Sequence, residues 1–510
     1  MKQNAGSGGL APSLASNSRW NLVAFAFGLA GNFVTIPFVI RWIGMDAFGL
    51  AALVLAICAP MTLIGTVLGQ ALIREISSRE SSGEKDIAGG FIHAAVRLCL
   101  LAALACWTLL ILSGPWITQG MLDGGPSSGV LHLAFLLAAT GGVAQQLALV
   151  FQGASAARQD YRTIAKVTAI STLAVVGATL GFSWLERSPI GYLLGIATGF
   201  LLTMITWLVT LRRDTHWRGF FAANRKAETA ALVQFGKWQG IAQLAGALGN
   251  QIDRYVLGAL APIAVVGQYT VANRLQEAAY VGVVKAGEVL FPRFGSMSNQ
   301  SVAQRQLFFQ TSSWVMSVLT AAMLAPLALL ANGILTVWVG AEAANGSDQI
   351  LIVLVLGGMV GSASNVFVYY AMGIGRNAPV AGISVLYSVL TVLMTILLIA
   401  YVGPQAAGAG LLVASVFRVV ASLHLTRKLF FPTLTWAELL VSTVLPVLVG
   451  TACVLGGYYT SWARPDDWFT LLPLYAVLAG AIMVVNVMAS AATRTGRGIL
   501  TQMARALQRR

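Results

Sequence analysis

From about Trp20 to about Ser490 the chain alternates apolar runs of roughly 20 residues with short polar breaks. At 1.5 Å per residue, a helical run of that length crosses the ~30 Å hydrocarbon core of a bilayer. The pattern predicts an all-α polytopic membrane protein with about 14 transmembrane helices. The spans fall at about 20–40, 47–69, 90–112, 129–153, 164–185, 190–211, 231–256, 265–291, 308–331, 350–373, 379–402, 406–425, 437–459 and 469–490. The longest polar break follows the sixth span. It predicts a six-helix N-lobe over 20–211, a basic cytoplasmic linker over 212–230 and a six-helix C-lobe over 231–425. The two lobes are expected around a central cavity, with two further helices over 437–490 and a basic cytoplasmic tail over 491–510. Residues 1–19, rich in Gly, Ser and Asn, predict a disordered N-terminus. The first apolar run is too long for a cleaved signal and reads as a retained helix.

Charge sets the orientation. Of the 32 Lys and Arg, 23 fall in the breaks on one side of these spans, and only Arg41, Arg187 and Arg464 fall on the other. Cytoplasmic loops collect positive residues, so both termini are expected in the cytoplasm. A net charge of +14 would suggest nucleic acid in a soluble chain. Here orientation accounts for it, and no nucleic-acid partner is expected. Only 10% of residues are charged and the mean hydropathy is +0.77, which excludes a soluble domain. The basic, aromatic linker RRDTHWRGFFAANRKAE reads either as a solvated loop or as a segment lying on the anionic leaflet.

The four cysteines (Cys58, Cys99, Cys106 and Cys453) all fall within apolar runs and read as small packing residues. The four histidines lack metal-ligand spacing, so no metal site is expected. Gly191, Gly195 and Gly199, and Gly357 and Gly361, recur every four residues and predict close helix contacts. Pro37, Pro60, Pro326, Pro379 and Pro446 mark places where helices can kink.

A charge in hydrocarbon costs about 2.5–3.5 kcal/mol even on the lenient insertion scale, so ionisable residues within spans are the candidate functional groups. The eighth span carries Arg274, Glu277, Lys285 and Glu288. These project at about 0°, −60°, +20° and −40° around the helix, within one arc of roughly 80°. Lipid would not tolerate that face, so it must line a wet cavity or meet other helices. The seventh span carries Lys237, Asn250, Asp253 and Arg254, of which the last two also suit a membrane–water boundary. Arg97 in the third span and Arg418 in the twelfth complete the set. Lys237, Arg97 and Arg418 lie close enough to span ends to snorkel. Cations outnumber anions here, which favours an anionic substrate such as a phosphate. No GxxxxGK[ST] or GxSxG sequence, catalytic carboxylate pair or metal cluster occurs, which points away from an enzyme. No cofactor is expected. Coupling to H+ or Na+ would fall to Asp253, Glu277 or Glu288.

Two stretches resemble the Wzx-type oligosaccharide flippases of the polysaccharide transporter family, within the multidrug/oligosaccharidyl-lipid/polysaccharide (MOP) exporter superfamily. In NFVTIPFVIRWIGMDAFGL the resemblance rests on Pro37, Arg41, Gly44, Phe48 and Gly49. In NQIDRYVLGALAPIAVVGQYTVANRL it rests on Asp253–Arg254, Leu257–Gly258, Val266–Gly267, Tyr269, Ala272 and Arg274–Leu275. The resemblance implies flipping of undecaprenyl-pyrophosphate-linked oligosaccharides to the periplasmic leaflet for exopolysaccharide, capsule or O-antigen synthesis. It also implies two lobes that rock about a cationic cavity. Partners would be the lipid-linked oligosaccharide, membrane lipid, and a polysaccharide polymerase with its export machinery. The alternatives are a drug/cation antiporter, which a cationic cavity disfavours, and a peptidoglycan lipid-precursor flippase. A membrane-embedded glycosyltransferase, polymerase or acyltransferase is the reading from another class.

Overall fold

The computed structural model describes residues 27–28, 31, 33–81, 88–122, 126–158, 160–212, 226–287, 290–297, 300–376, 378–458 and 467–508. Among the described residues no strand occurs, and helices account for nearly all of them. The expectation for 1–19, most of the 212–230 linker and Glu288 lies outside the described residues.

From the second onward, every predicted span has a helix within a few residues of its place; of the first, most of 20–32 lies outside the described residues. The first is described as α1 (Phe33–Ile43). Gly44, at φ 81°, takes the left-handed conformation that lets α2 (Met45–Cys58) follow at once. One 3₁₀ turn carrying Pro60 (Ala59–Thr62) joins α2 to α3 (Leu63–Ser81). Proline has no N–H to donate and its ring excludes a carbonyl one turn back, so the α-ladder is interrupted there. Next come α4 (Ala88–Met121), α5 (Ser128–Ala157), α6 (Tyr161–Leu185), α7 (Pro189–Arg212) and α8 (Lys226–Leu260). After them run α9 (Ile263–Gly287), α10 (Leu290–Ser296), α11 (Val302–Leu329), α12 (Ala331–Val339) and α13 (Ala341–Ala344). The tenth span is broken into α14 (Ser347–Ser362) and α15 (Asn365–Gly373). At the break, the Ser362 and Ser364 hydroxyls donate to the Met359 and Gly361 carbonyls at 2.7 Å. The chain ends with α16 (Ala378–Val402), α17 (Ala409–Leu425), α18 (Trp436–Leu439), α19 (Leu445–Tyr458), α20 (Trp468–Ala491) and α21 (Arg494–Gln508). A π-helical turn (Leu440–Val444) joins α18 to α19 immediately before Pro446.

Among the described residues eleven helices are long and apolar enough to cross a membrane; α1, α8 and α9 complete the fourteen spans, α8 and α9 being more polar. Large apolar side chains point outward along them, as lipid-facing residues do: Leu109, Leu112 and Trp116 are 64%, 67% and 74% exposed. The chain is a multi-pass membrane protein.

The chain divides into two compact units, Met1–Gln251 and Ile252–Arg510, with the boundary inside α8. In the first unit α5 packs on α3, α4 and α7, and α6 packs on α7. The glycine repeat sits at that last contact. A Cβ on Gly195 would lie 2.5 Å from Thr179 Cα, and one on Gly199 2.6 Å from Val175 Cα. In the second unit α11 packs on α14, α19 and α20, while α14 and α16 pack on α17. Gly357 closes the α14–α17 contact, its Cβ position lying 3.3 Å from the Leu412 backbone. The four cysteines are free. Two features go beyond the expected pattern: α12 and α13 fill the break before span ten, and most of the predicted tail is the helix α21.

Candidate functional site

The polar residues of the second unit gather on α8, α9 and the helices that pack beside them. The most deeply buried charged cluster lies about 10 Å from the α8–α9 turn, seven residues before the end of α8 and six after the start of α9. There Asp253 is 5% exposed. Its Oδ2 accepts from the Tyr269 hydroxyl at 2.5 Å and its Oδ1 from Thr395 Oγ1 at 2.7 Å. Thr395 comes from α16, so three helices converge on one carboxylate. The neighbouring Arg254 is 6% exposed. Its Nε donates to Thr270 Oγ1 at 3.3 Å, and its guanidinium lies 5.6 Å from the Tyr269 ring centroid. Both residues are buried against protein, rather than sitting at a water-exposed helix end.

One turn further along α9 the character changes. Arg274 and Glu277 form an ion pair at 3.4 Å, but their side chains remain 49% and 50% exposed. Asn273 Nδ2 donates to the other Glu277 oxygen at 2.9 Å. Lys285 is exposed on the same helix face. Along α9, Arg274 and Glu277 are thus half-exposed and Lys285 exposed, on the one helix face their spacing predicts. Below it, Asn365 at the α14–α15 break donates to the Tyr280 hydroxyl at 3.1 Å, and the Tyr369 hydroxyl donates to the Val284 carbonyl at 3.3 Å. Arg418 on α17 stacks on Tyr387 of α16, 5.4 Å from the ring centroid.

The remaining sequence candidates, Arg97, Lys237 and Asn250, belong to the first unit. Arg97 is exposed on α4 of the first unit. Lys237 and Asn250 lie on α8, before the unit boundary. Residues absent from the sequence-based set include Tyr269, Thr270, Asn273, Tyr280, Tyr387 and Thr395. For three of these a signal exists: Tyr269, Asn273 and Tyr280 fall at helical spacing (i, i+4, i+11) with Glu277 at i+8, forming one polar stripe. Thr395 has none, because nothing in the apolar run TVLMTILLIAYV distinguishes it from Thr391 one turn earlier.

Fourteen spans in two helical units, with buried and half-exposed charges in the second, define a polytopic helical membrane fold. Solved structures share it. A lipid II flippase, MurJ, in an inward closed conformation matches with a TM-score of 0.72 at 13% identity, covering 93% of this chain and 98% of that one. An inward-facing multidrug resistance MATE family transporter of the MOP superfamily matches at 0.63 and 14% identity, covering 86% and 99%. The chain belongs to the polysaccharide biosynthesis protein family, whose model matches residues 14–298. A Shigella flexneri protein provisionally named an O-antigen transporter is 21% identical over 352 residues, 68% of this chain and 81% of that protein. Family and fold agree with the resemblance seen in the motifs around Pro37 and Asp253.

Proposed function

We propose that this protein is a flippase for undecaprenyl-pyrophosphate-linked oligosaccharide repeat units. It moves them from the cytoplasmic to the periplasmic leaflet of the bacterial inner membrane by alternating access, for exopolysaccharide, capsule or O-antigen synthesis. The observation that carries this reading is the charged face of α9 in a chain of the polysaccharide biosynthesis family. Arg274 and Lys285 stand exposed on a membrane helix, where hydrocarbon would not tolerate them. A pyrophosphate suits such groups, since guanidinium and ammonium both form charge-assisted hydrogen bonds to phosphate oxygens. The lipid tail stays in the bilayer while the charged head crosses.

The names of the similar proteins, an O-antigen transporter and a lipid II flippase, support a lipid-linked substrate. The one-sided distribution of Lys and Arg supports cytoplasmic termini. Asp253 is the carboxylate we assign to H+ or Na+ coupling, because three helices meet on it. The polysaccharide polymerase and its export machinery are the partners downstream.

The test is deletion of the gene, followed by extraction of lipid-linked oligosaccharides and analysis of the surface polysaccharide. Loss of surface glycan with complete repeat units held on the cytoplasmic leaflet is the expected result. Unchanged glycan and lipid intermediates would overturn the proposal. Accumulation of peptidoglycan precursor would reassign the substrate, and drug hypersensitivity alone would favour the antiporter.

A further inference from the structure

The last helix, α21, is neither a continuation of the final span nor a loose tail. Thr493 Oγ1 donates to the Ser490 carbonyl at 2.8 Å and accepts from the Gly496 N–H at 3.0 Å, fixing a tight turn. A Cβ at Gly496 would lie 2.1 Å from the Ser490 carbonyl oxygen, so only glycine fits that approach. Around the helix that follows, Arg494, Arg497 and Arg505 project at about 0°, −60° and +20°, whereas Ile499, Leu500 and Met503 project at about 140°, −120° and 180°. Ile499 is buried on Trp314 and Val318 of α11, with Leu500 and Met503 packed at the edge of the same contact. The three arginines are exposed.

The depth of this contact follows from two hydrogen bonds. Trp314 Nε1 donates to Ser490 Oγ at 2.8 Å, and the Tyr475 hydroxyl donates to the Met323 carbonyl. As α11 advances from 314 to 323, α20 thus runs back from 490 to 475, and the two helices are antiparallel. Val318 therefore lies one turn further into the membrane-spanning part of α20 than Ser490 does. Because Ile499 packs on Val318, α21 turns back at the end of the span instead of projecting away from it. It also touches the π-turn Leu440–Val444, a few residues inside the thirteenth span. A helix at that level lies along the boundary between hydrocarbon and headgroups.

We infer that α21 is an interfacial helix whose arginine face, Arg494, Arg497 and Arg505, binds the phosphates of anionic phospholipids. Residues 494–510 contain five arginines and no Asp or Glu. Among the described residues no carboxylate pairs with the three exposed ones. Guanidinium is the side-chain cation best matched to phosphate oxygens, and an anionic leaflet strengthens binding by about fivefold for each arginine near its surface. The apolar face, docked on α11, holds those arginines at fixed positions.

The test is hydrogen exchange of the full-length protein in nanodiscs, comparing pure phosphatidylcholine with a phosphatidylglycerol mixture. Exchange over 494–508 slows by about tenfold or more in the anionic discs, and high salt reverses the slowing. The triple substitution Arg494→Gln, Arg497→Gln and Arg505→Gln removes the lipid dependence, while exchange in α20 stays unchanged. Equal exchange of the unsubstituted protein in the two discs would overturn the inference without relying on any variant. So would equal protection from inorganic phosphate added to neutral discs, since the site would then hold a free anion.

Discussion

Thr395 of α16 donates a 2.7 Å hydrogen bond to Asp253 of α8, 142 positions earlier in the chain. Gly410 makes room for the contact: a Cβ there would lie 2.3 Å from Thr395 Oγ1 and 2.5 Å from its backbone nitrogen. The hydroxyls of Thr395 and Tyr269 occupy the two oxygens of a carboxylate that has little access to water. Thr395→Val removes one donor and is expected to lower stability by about 0.5–2 kcal/mol. Asp253→Ala strands both hydroxyls, so its loss is larger. Thermal unfolding of the purified variants in one detergent orders them, and equal midpoints for all three proteins would contradict the network's role.

The same carboxylate separates stability from transport. Asp253→Asn keeps the shape and accepts a hydrogen bond, but carries no charge for a proton or sodium ion to meet. Export is expected to stop while the protein remains in the membrane at its usual level. Glu277→Gln, on a half-exposed side chain paired to Arg274, is expected to leave coupled export largely intact. Surface glycan measured beside membrane protein abundance distinguishes the two. Full export by Asp253→Asn would remove Asp253 from the coupling role.

Arg274 provides the complementary case. Its ion pair with Glu277 is half-exposed, and such pairs contribute about 0–1 kcal/mol. Arg274→Glu and Lys285→Glu should therefore leave folding nearly unchanged, yet reduce export at least tenfold through repulsion of the pyrophosphate. The assay is lipid-linked oligosaccharide accumulation in strains carrying each variant. Normal glycan from both variants would sink the assignment of this face to substrate.

Asp467 caps α20, accepting from the Thr470 N–H at 2.8 Å and from its hydroxyl. Those bonds hold its carboxyl below the ordinary range. The folded state thus gains from the ionised cap above the ordinary carboxyl pKa of about 3.9, and loses that gain as pH falls through the lower folded value. Protection factors for the first turn of α20 should be level at neutral pH and fall in strong acid. Asp467→Asn, a cap without a charge, should abolish the acid step while keeping the turn.

The spans and the α9 charges were legible in the sequence because a membrane imposes one length and one polarity on every helix. Arg274, Glu277 and Lys285 share a face by spacing alone, and the structure leaves them on it. The partners of Asp253 were not legible, since a threonine in an apolar run carries no sign of what it meets 142 positions away. The basic tail concealed α21 for a different reason. Its glycines and arginines read as loop, although Ile499, Leu500 and Met503 hold helical spacing. The break between spans nine and ten hid α12 similarly: nine residues are too few to register as a span.

Glycine spacing predicted close contacts without saying which glycines make them, and two positions in adjoining helices now separate these cases. Gly195 of α7 faces Thr179, with its Cβ position 2.5 Å from Thr179 Cα and 2.8 Å from the Ala178 carbonyl. These are backbone atoms and cannot rotate away, so Gly195→Ala must push α6 from α7. The expected loss is about 1–3 kcal/mol. Gly177 of α6 has nothing within 4 Å of its Cβ position. Gly177→Ala removes the flexibility that glycine brings to a helix interior and is expected to stabilise by about 0.5–1 kcal/mol. Opposite shifts in unfolding midpoint from the same one-methyl change would show that packing, and not glycine content, holds α6 to α7. A stabilised Gly195→Ala protein would refute that contact.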